Sequence, residues 1–173
     1  MANTTFTGPV RSEDGFDVVS KSSTTGAFTT EFSLDGSGLQ VTPITFSDAD
    51  TTLTATANAG RVNVVPAITG NRTLTLPSPT AGVWFRIIYG GAAEEAENLI
   101  FDTGSDTNYF IGGVIHLGSN ADNVSVYADG NSNSILTLTD FGLFEINILA
   151  KDSTNWIIWG YQEGADVPAF SDQ

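Results

Sequence analysis

Short strand-like runs, each ended by residues that break a strand, limit the possible folds of this chain most strongly. The clearest example is residues 72–89, which read RTLTLPSPTAGVWFRIIY. Thr73–Leu76 alternates polar and apolar residues, as a strand with one buried face does. Pro77–Pro79 cannot continue a β-ladder, because proline has no backbone N–H to donate. Val83–Tyr89 then resumes with residues that favour strands, so we predict two strands joined by a turn.

About ten such runs follow one another at intervals of roughly 8–12 residues, each bounded by Gly, Asn, Asp or Pro. No ten-residue window shows the 3.6-residue period of an amphipathic helix. We therefore predict an all-β fold, specifically an antiparallel β-sandwich or barrel of the jelly-roll type. In this interpretation Leu53–Ala57 is a strand and Val167–Gln173 is a frayed tail.

Residues 1–43 differ from the rest, because single apolar residues are separated there by Ser, Thr, Gly and Asp. Such a segment cannot close a core of its own, yet it is too aromatic for a free tail. We predict an extended N-terminal arm over 1–43 and a β-domain over 44–173; ordinary edge strands of the main fold are the alternative. The residues expected to bind a partner are Phe6, Val10, Arg11, Phe16, Val18, Phe28 and Phe32.

The charge balance excludes several classes of partner. Twenty acidic and six basic residues give a formal net charge of −14, spread along the chain. Nucleic acids and anionic membranes need Lys and Arg to neutralise their phosphates, so we expect neither as a partner. No apolar run approaches the ~20 residues of a membrane span, and Met1–Pro9 does not read as a signal peptide.

No residue pattern predicts catalysis, a cofactor or a metal. Cysteine is absent, which excludes thiolate chemistry. The single histidine, His116, has no nucleophile or carboxylate paired with it by motif, so we interpret it as structural or as a surface residue. Glu94, Glu95 and Glu97 form what we expect to be a solvated acidic loop. No lysine follows the Gly112–Gly113 pair, whereas a phosphate-binding loop has a lysine after its glycines.

Two turns rich in Asp, Asn and Gly leave a calcium site open as an alternative. Residues 102–106 and 129–133 offer the oxygen ligands that hard cations require. Neither matches an EF-hand loop, and turn chemistry alone explains both compositions.

Aromatic residues are the remaining candidates for binding. Trp156 and Trp159 are three positions apart, so in one strand they point to opposite faces, one toward the core and one toward solvent or an interface. We assign Tyr109 and Trp159 as possible glycan-binding or interface residues. For the whole aromatic set, packing in the core or between subunits is the alternative to a sugar-binding platform; the set is Trp84, Trp156, Trp159, Tyr89, Tyr109, Tyr127 and Tyr161.

Four segments give the chain a resemblance to a known group of proteins. They are GPVRSEDGFDVVSK at 8–21, TLTLPSPTAGVWFRIIY at 73–89, YFIGGVIHL at 109–117 and NWIIWGY at 155–161. In these segments the chain resembles capsid decoration proteins (cement or head-fibre proteins) of tailed bacteriophages, of the type found in marine phages.

The resemblance implies a structural virion protein on the outer surface of the capsid, assembled in the host cytoplasm. It implies binding to the major capsid protein, often as a homotrimer, and no enzymatic activity. The alternative function is a receptor- or glycan-binding module of a phage head or tail fibre, which would bind a host surface glycan.

Overall fold

The computed structural model describes residues 16–35, 38–118 and 123–173. The chain divides into two compact units, Met1–Thr42 and Pro43–Gln173. In the described part of the first unit, three strands form an antiparallel sheet in the order β1-β2-β3. They are β1 Phe16–Lys21, β2 Phe28–Asp35 and β3 Gly38–Gln40. The segment that was predicted as an extended arm therefore contains three paired strands.

The second unit contains twelve strands and one short helix among its described residues. In chain order they are β4 Ile44–Thr45, β5 Thr51–Thr52, α1 Ala55–Asn58, β6 Val62–Val65, β7 Arg72–Thr75, β8 Trp84–Tyr89, β9 Leu99–Asp102, β10 Tyr109–Gly118, β11 Val124–Asp129, β12 Ile135–Leu138, β13 Phe141–Ala150, β14 Asn155–Gly164 and β15 Ala169–Ser171. The all-β prediction is confirmed.

The strands of the second unit form two sheets in a sandwich-like arrangement. A seven-stranded sheet has the order β11-β10-β14-β13-β8-β6-β4, and a five-stranded sheet has the order β15-β12-β9-β7-β5. One hydrophobic cluster joins them: Phe101 of the smaller sheet meets Phe144 of the larger one edge to face, with ring centroids 6.2 Å apart. Two sheets that bury one face each against the other are the usual solution for strands of alternating polarity.

Both sheets are mixed, so the prediction of an antiparallel sandwich is wrong for several strand pairs. From β4 to β9, successive strands alternate between the two sheets. Neighbours in one sheet are thus connected by a crossover through the other sheet, and they run parallel. The parallel pairs are β4–β6, β6–β8, β5–β7, β7–β9 and β10–β14. These pairs also depart from a jelly roll, whose strands are antiparallel.

The prediction of a strand at Leu53–Ala57 is also wrong, because α1 begins there. Thr54 is its N-cap: the Thr54 Oγ1 accepts from Ala57 N at 3.1 Å, and the Asn58 Oδ1 accepts from Thr54 N at 2.9 Å. These reciprocal bonds satisfy donors at the helix start and at its cap.

The predicted frayed tail is the third error. β15 pairs antiparallel with β12, and Phe170 packs against the core with its ring centroid 6.1 Å from that of Phe110. The end of the chain is therefore part of the five-stranded sheet.

Candidate binding surface on the seven-stranded sheet

One face of the seven-stranded sheet is turned away from the core, and we call it the outer face. Along β8, β10 and β14 alternate residues are buried, which places the intervening side chains on this face. Nine large hydrophobic side chains are exposed among the described residues of Pro43–Gln173, and six of them lie on the outer face along β8, β10, β11 and β14. These six are Trp84, Ile115, Leu117, Tyr127, Trp159 and Tyr161.

Strand register arranges these side chains in rows across the sheet. One row runs from Tyr127 through Gly113, Trp159 and Asn147 to Arg86. The next row contains Ser125, Ile115, Tyr161, Glu145 and Ile88. Because side chains that are directly opposite on neighbouring strands contact one another, the apolar groups form a continuous patch.

A cleft of about 340 Å³ opens in this face between Tyr127 and Trp159. Ile115 and Ser125 line it, and Gly113 contributes to its floor. A Cβ atom at Gly113 would lie 2.7 Å from the Tyr127 Cδ1. The Tyr127 ring therefore covers the glycine, and only glycine allows that approach. The two aromatic rings are 71% and 48% exposed, respectively, so they remain accessible beside the cleft.

The central charges on this face are paired with each other. The Arg86 Nη2 donates to the Glu145 Oε2 at 2.9 Å, and the Asn147 Nδ2 donates to the Glu145 Oε1 at 3.1 Å. These two hydrogen bonds hold the pKa of Glu145 below its ordinary value, and the one from Arg86 has the larger effect. This part of the sheet consequently carries no net charge at neutral pH.

The predicted aromatic residues are placed as follows. Trp156 is fully buried, whereas Trp159 is exposed, so the prediction of opposite faces is confirmed. Tyr109 lies at the start of β10 and is half-buried, and the cleft does not include it. Tyr127 belongs to the predicted aromatic set but was not selected from it, because its position beside Gly113 depends on strand register, which alternation alone does not reveal.

The predicted partner-binding residues of the first unit are only partly described. Phe6, Val10 and Arg11 lie outside the described residues. The backbones of Phe16, Val18 and Phe32 belong to β1 and β2, while their side chains lie outside the described part of the structure. Phe28 is 68% exposed, and the Lys21 ammonium lies 5.4 Å from its ring centroid, a cation–π geometry.

His116 is buried within the second unit. Its Nε2 lies 3.0 Å from the carbonyl oxygen of Gly164 and must donate to it, since a carbonyl can only accept. Gln162, its register partner on β14, donates from Nε2 to the carbonyl oxygens of Thr139 and Asp166, both at 3.3 Å. The side chain of His116 therefore ties β10 to the end of β14.

The acidic loop is more ordered than the prediction of a solvated loop implied. Glu95 accepts a hydrogen bond from the Tyr89 hydroxyl, and its Oε1 also accepts from Ile68 N at 3.3 Å. Burial raises the pKa of Tyr89 above its ordinary value, and the hydrogen bond to Glu95 raises it further. The Glu94 Oε1 accepts from Ala165 N at 2.6 Å. These two carboxylates hold the loop against neighbouring segments, although Glu94 also lines a shallow cavity of about 270 Å³.

The two Asp-rich turns use their carboxylates internally. Asp129 accepts from the backbone N–H groups of Asn131, Ser132 and Asn133 at 2.9–3.1 Å, and its other oxygen accepts from the Ser132 hydroxyl. These bonds lower the pKa of Asp129, the Ser132 hydroxyl contributing most. Asp102 accepts from Gly104 N and from the Gln173 amide, both at 2.6 Å. Turn chemistry therefore accounts for Asp129, whereas Asp102 combines one bond within its turn with one from the end of the chain.

Within residues 16–35, 38–118 and 123–173, no group of three or more His, Asp or Glu side chains is placed to hold a metal ion. The same ranges contain no helix that is long and apolar enough to cross a membrane. No protein-family model, curated protein or solved structure matches this chain.

Proposed function

We propose that this protein is a structural component of a tailed-bacteriophage particle that decorates and reinforces the outer surface of the capsid as a homotrimer. The observation that carries an interaction role is the outer face of the seven-stranded sheet, where six large hydrophobic side chains are exposed together. Exposed apolar patches of this kind mark surfaces that bind other proteins. The resemblance in residues 8–21, 73–89, 109–117 and 155–161 supplies the phage setting.

The first unit, Met1–Thr42, is the part that we assign to the major capsid protein. Among the described residues, β1 and β3 are the edges of its three-stranded sheet, and the edge of a sheet is where a strand from another protein can add. Val19 and Phe28 are exposed on this sheet and offer apolar anchors. In this proposal the partner-binding residues predicted from the sequence, from Phe6 to Phe32, act as an arm on the shell.

The charge of the chain supports a protein partner rather than nucleic acid or membrane. A net charge of −14 repels both phosphate-rich surfaces and keeps a densely displayed protein soluble. We place the protein on the outer surface of the virion, after assembly in the host cytoplasm. We propose no enzymatic activity and no cofactor.

Binding to isolated capsid shells that lack this protein tests the proposal. The full chain should cosediment with the shells, whereas a variant without residues 1–35 should not. Fluorescence of Trp84, Trp156 and Trp159, which all belong to the second unit, should still report a cooperative unfolding transition in that variant. Undiminished binding would remove the role of the arm, and failure of the full chain to bind would contradict the capsid assignment.

Electron cryo-microscopy of intact particles provides the second test. Density for this chain on the outer face of the capsid is the expected result. Density at the tail tip would favour the fibre alternative, and absence of the chain from purified particles would contradict both.

A glycan-binding function is the second candidate, because Ser125 lines the cleft together with two exposed aromatic rings. Sugar rings stack on aromatic faces and need polar groups beside them. A glycan array probed with the full chain tests this function. A specific hit that Trp159→Ala abolishes and Trp84→Ala retains would support it, and an array without hits would count against it.

A further inference from the structure

We infer that the outer face of the seven-stranded sheet is the surface through which copies of this chain bind one another. The inference rests on the part of the proposed function in which several copies act together, and it does not depend on capsid binding. The occupant of the face is therefore a second copy of this chain, and in a homotrimer the outer faces of the copies would be turned toward one another around the three-fold axis.

The apolar area of the face is sufficient for such an interface. The six exposed side chains are 37–71% accessible, and Ile88, Ile111, Leu149 and Ile157 add half-buried apolar surface beside them. Since an aromatic side chain buries 150–250 Å² when it is fully covered, the patch amounts to on the order of 700 Å². A stable complex of standard size buries about 800 Å² on each partner.

The charge distribution favours a second copy at this face over any other part of the molecular surface. The chain carries a net charge of −14, so most orientations of two copies are opposed by like-charge repulsion. At the centre of the outer face, Arg86 and Glu145 neutralise each other at 2.9 Å. Asp129 and Glu163, the other two acidic residues of this face, lie at its margins opposite Ile111 and Leu117, and both are exposed. Two copies can therefore approach face to face without bringing acidic side chains together.

The chemistry of the cleft also favours a protein side chain over a polar small molecule. Ser125 is the one small polar side chain among the residues that line it, and Tyr127 and Trp159 add a hydroxyl and an indole N–H to otherwise apolar rings. Sites for polar small molecules usually place several convergent polar groups to orient the ligand. Nearby Asn147 already donates to Glu145. Tyr127 and Trp159 resemble the aromatic anchors that dominate binding energy in protein interfaces. An aromatic side chain from a neighbouring copy would fill the cleft between them.

Sedimentation equilibrium of the full chain, with three matched variants, tests this inference. The wild-type protein should form an oligomer with a defined number of copies. Trp159→Glu and Ile115→Glu should each weaken association by about thirtyfold or more, because each places a charge at the centre of a desolvated surface. Val167→Glu is the control: Val167 is 46% exposed, similar to Trp159 at 48%, but lies outside the outer face.

Two results would overturn the inference. One is a monomeric wild-type protein at all concentrations tested. The other is an equal loss of association in Val167→Glu and Trp159→Glu. Because all three substituted side chains are exposed, circular dichroism should show that each variant remains folded.

A photo-crosslinking residue introduced at Tyr127 identifies the occupant directly. Full-length chains labelled with light and heavy isotopes are mixed before irradiation. We expect crosslinks between light and heavy chains that end in β8, β10, β13 or β14. Crosslinks that end in residues 1–42, within or between chains, would show that the first unit covers this face and would overturn the inference. Oligomers that persist with crosslinks at the outer face, but do not bind shells, would leave it intact and contradict only the capsid assignment.

Discussion

At the scale of single residues, Gly112 and Gly82 separate two reasons why a position requires glycine. Both have positive φ, 113° and 88°, which L-residues with a side chain rarely adopt. A Cβ at Gly112 would lie 2.2 Å from the carbonyl oxygen of Ile158 on β14, whereas a Cβ at Gly82 would meet no atom within 4 Å. Gly82 is therefore required only because of its backbone conformation. Gly112 is required for the same reason and also because β10 and β14 approach each other closely there.

We expect Gly82→Ala to lower the free energy of unfolding by about 1–2 kcal/mol, the cost of left-handed backbone. Gly112→Ala should cost about 3 kcal/mol or more, because overpacking against Ile158 adds to that strain. Urea unfolding followed by tryptophan fluorescence measures both, since every tryptophan lies in the second unit. Equal losses in the two variants would show that β10 and β14 separate to accept the methyl group at little cost.

Two turn carboxylates predict how stability depends on pH. The pKa of Asp152 is lowered by hydrogen bonds from the backbone N–H groups of Thr154 and Asn155 and, to a smaller extent, from the Asn155 side chain. The pKa of Asp129 is lowered in the same way by the hydrogen bonds of its turn. A carboxyl group whose pKa is lower in the folded than in the unfolded state stabilises the fold above its unfolded pKa of about 3.9. That contribution is lost as the pH falls through the folded-state pKa.

The variant Asp129→Asn/Asp152→Asn should accordingly be less stable than wild type at neutral pH, and the difference should shrink as the pH falls below about 4. Chemical unfolding at a series of acidic pH values measures this difference. Curves that stay parallel down to the lowest pH would mean that these two turns are not linked to acid unfolding.

At the scale of elements, the short helix α1 depends on a buried amide network that includes β6. Asn63 is fully buried; the two hydrogens of its Nδ2 are shared among the carbonyl oxygens of Asn58, Arg61 and Arg86 at N···O distances of 3.0–3.3 Å, and its Oδ1 accepts from the Asn58 Nδ2 at 3.1 Å. We expect Asn63→Ala to cost about 3 kcal/mol, since it leaves the buried Asn58 amide without that acceptor and opens a small cavity.

The exposed Thr56 on the same helix is the control, and Thr56→Ala should change the free energy of unfolding by less than about 0.5 kcal/mol. The same urea experiment measures both variants. A small effect of Asn63→Ala would mean that water replaces the Asn63 side chain as the acceptor for the Asn58 amide.

The final strand provides a second prediction at this scale. Phe170→Ala should destabilise the second unit by about 2 kcal/mol, because Phe170 packs against Phe110 and the core although it is only half-buried. Val167→Ala removes an exposed side chain just before β15 and should be nearly neutral. Thermal unfolding distinguishes the two variants. If both unfold at the same temperature, Phe170 does not stabilise the second unit, as expected of a frayed tail.

Alternating polarity predicts local conformation correctly in one segment of the chain and wrongly in another, for physical reasons. Alternation in Thr73–Leu76 identifies a strand and its buried face, and Leu74 is indeed buried in β7. The same alternation in Leu53–Ala57 was misleading, because capping by Thr54 and Asn58 decides the conformation of so short a segment. Parallel pairing was missed because alternation shows which side chains are buried and does not show which strand lies next.

At the scale of the whole molecule, the apolar outer face and the acidic charge have to be considered together. The hydrophobic residues of the outer face come from β8, β10, β11 and β14, which are distant in sequence, so only the strand order brings them together. Composition showed the charge of −14 but not that the centre of this face is neutral. The exposure of Trp159 could be anticipated from its spacing to Trp156, whereas the patch around it could not.

This combination predicts how self-association responds to salt. If apolar contact across the outer face holds copies together while net charge opposes them, added sodium chloride should tighten the complex by screening the repulsion. The opposite dependence is expected of an interface held by ion pairs, which salt weakens. Sedimentation equilibrium of the full chain at low and high sodium chloride measures the change in Kd.

Arg86→Gln tests the origin of the effect: it removes the central cation and leaves Glu145 uncompensated, so association should weaken most at low salt and recover in part at high salt. An oligomer that dissociates as salt is added would place ion pairs, rather than this apolar face, at the contact between copies.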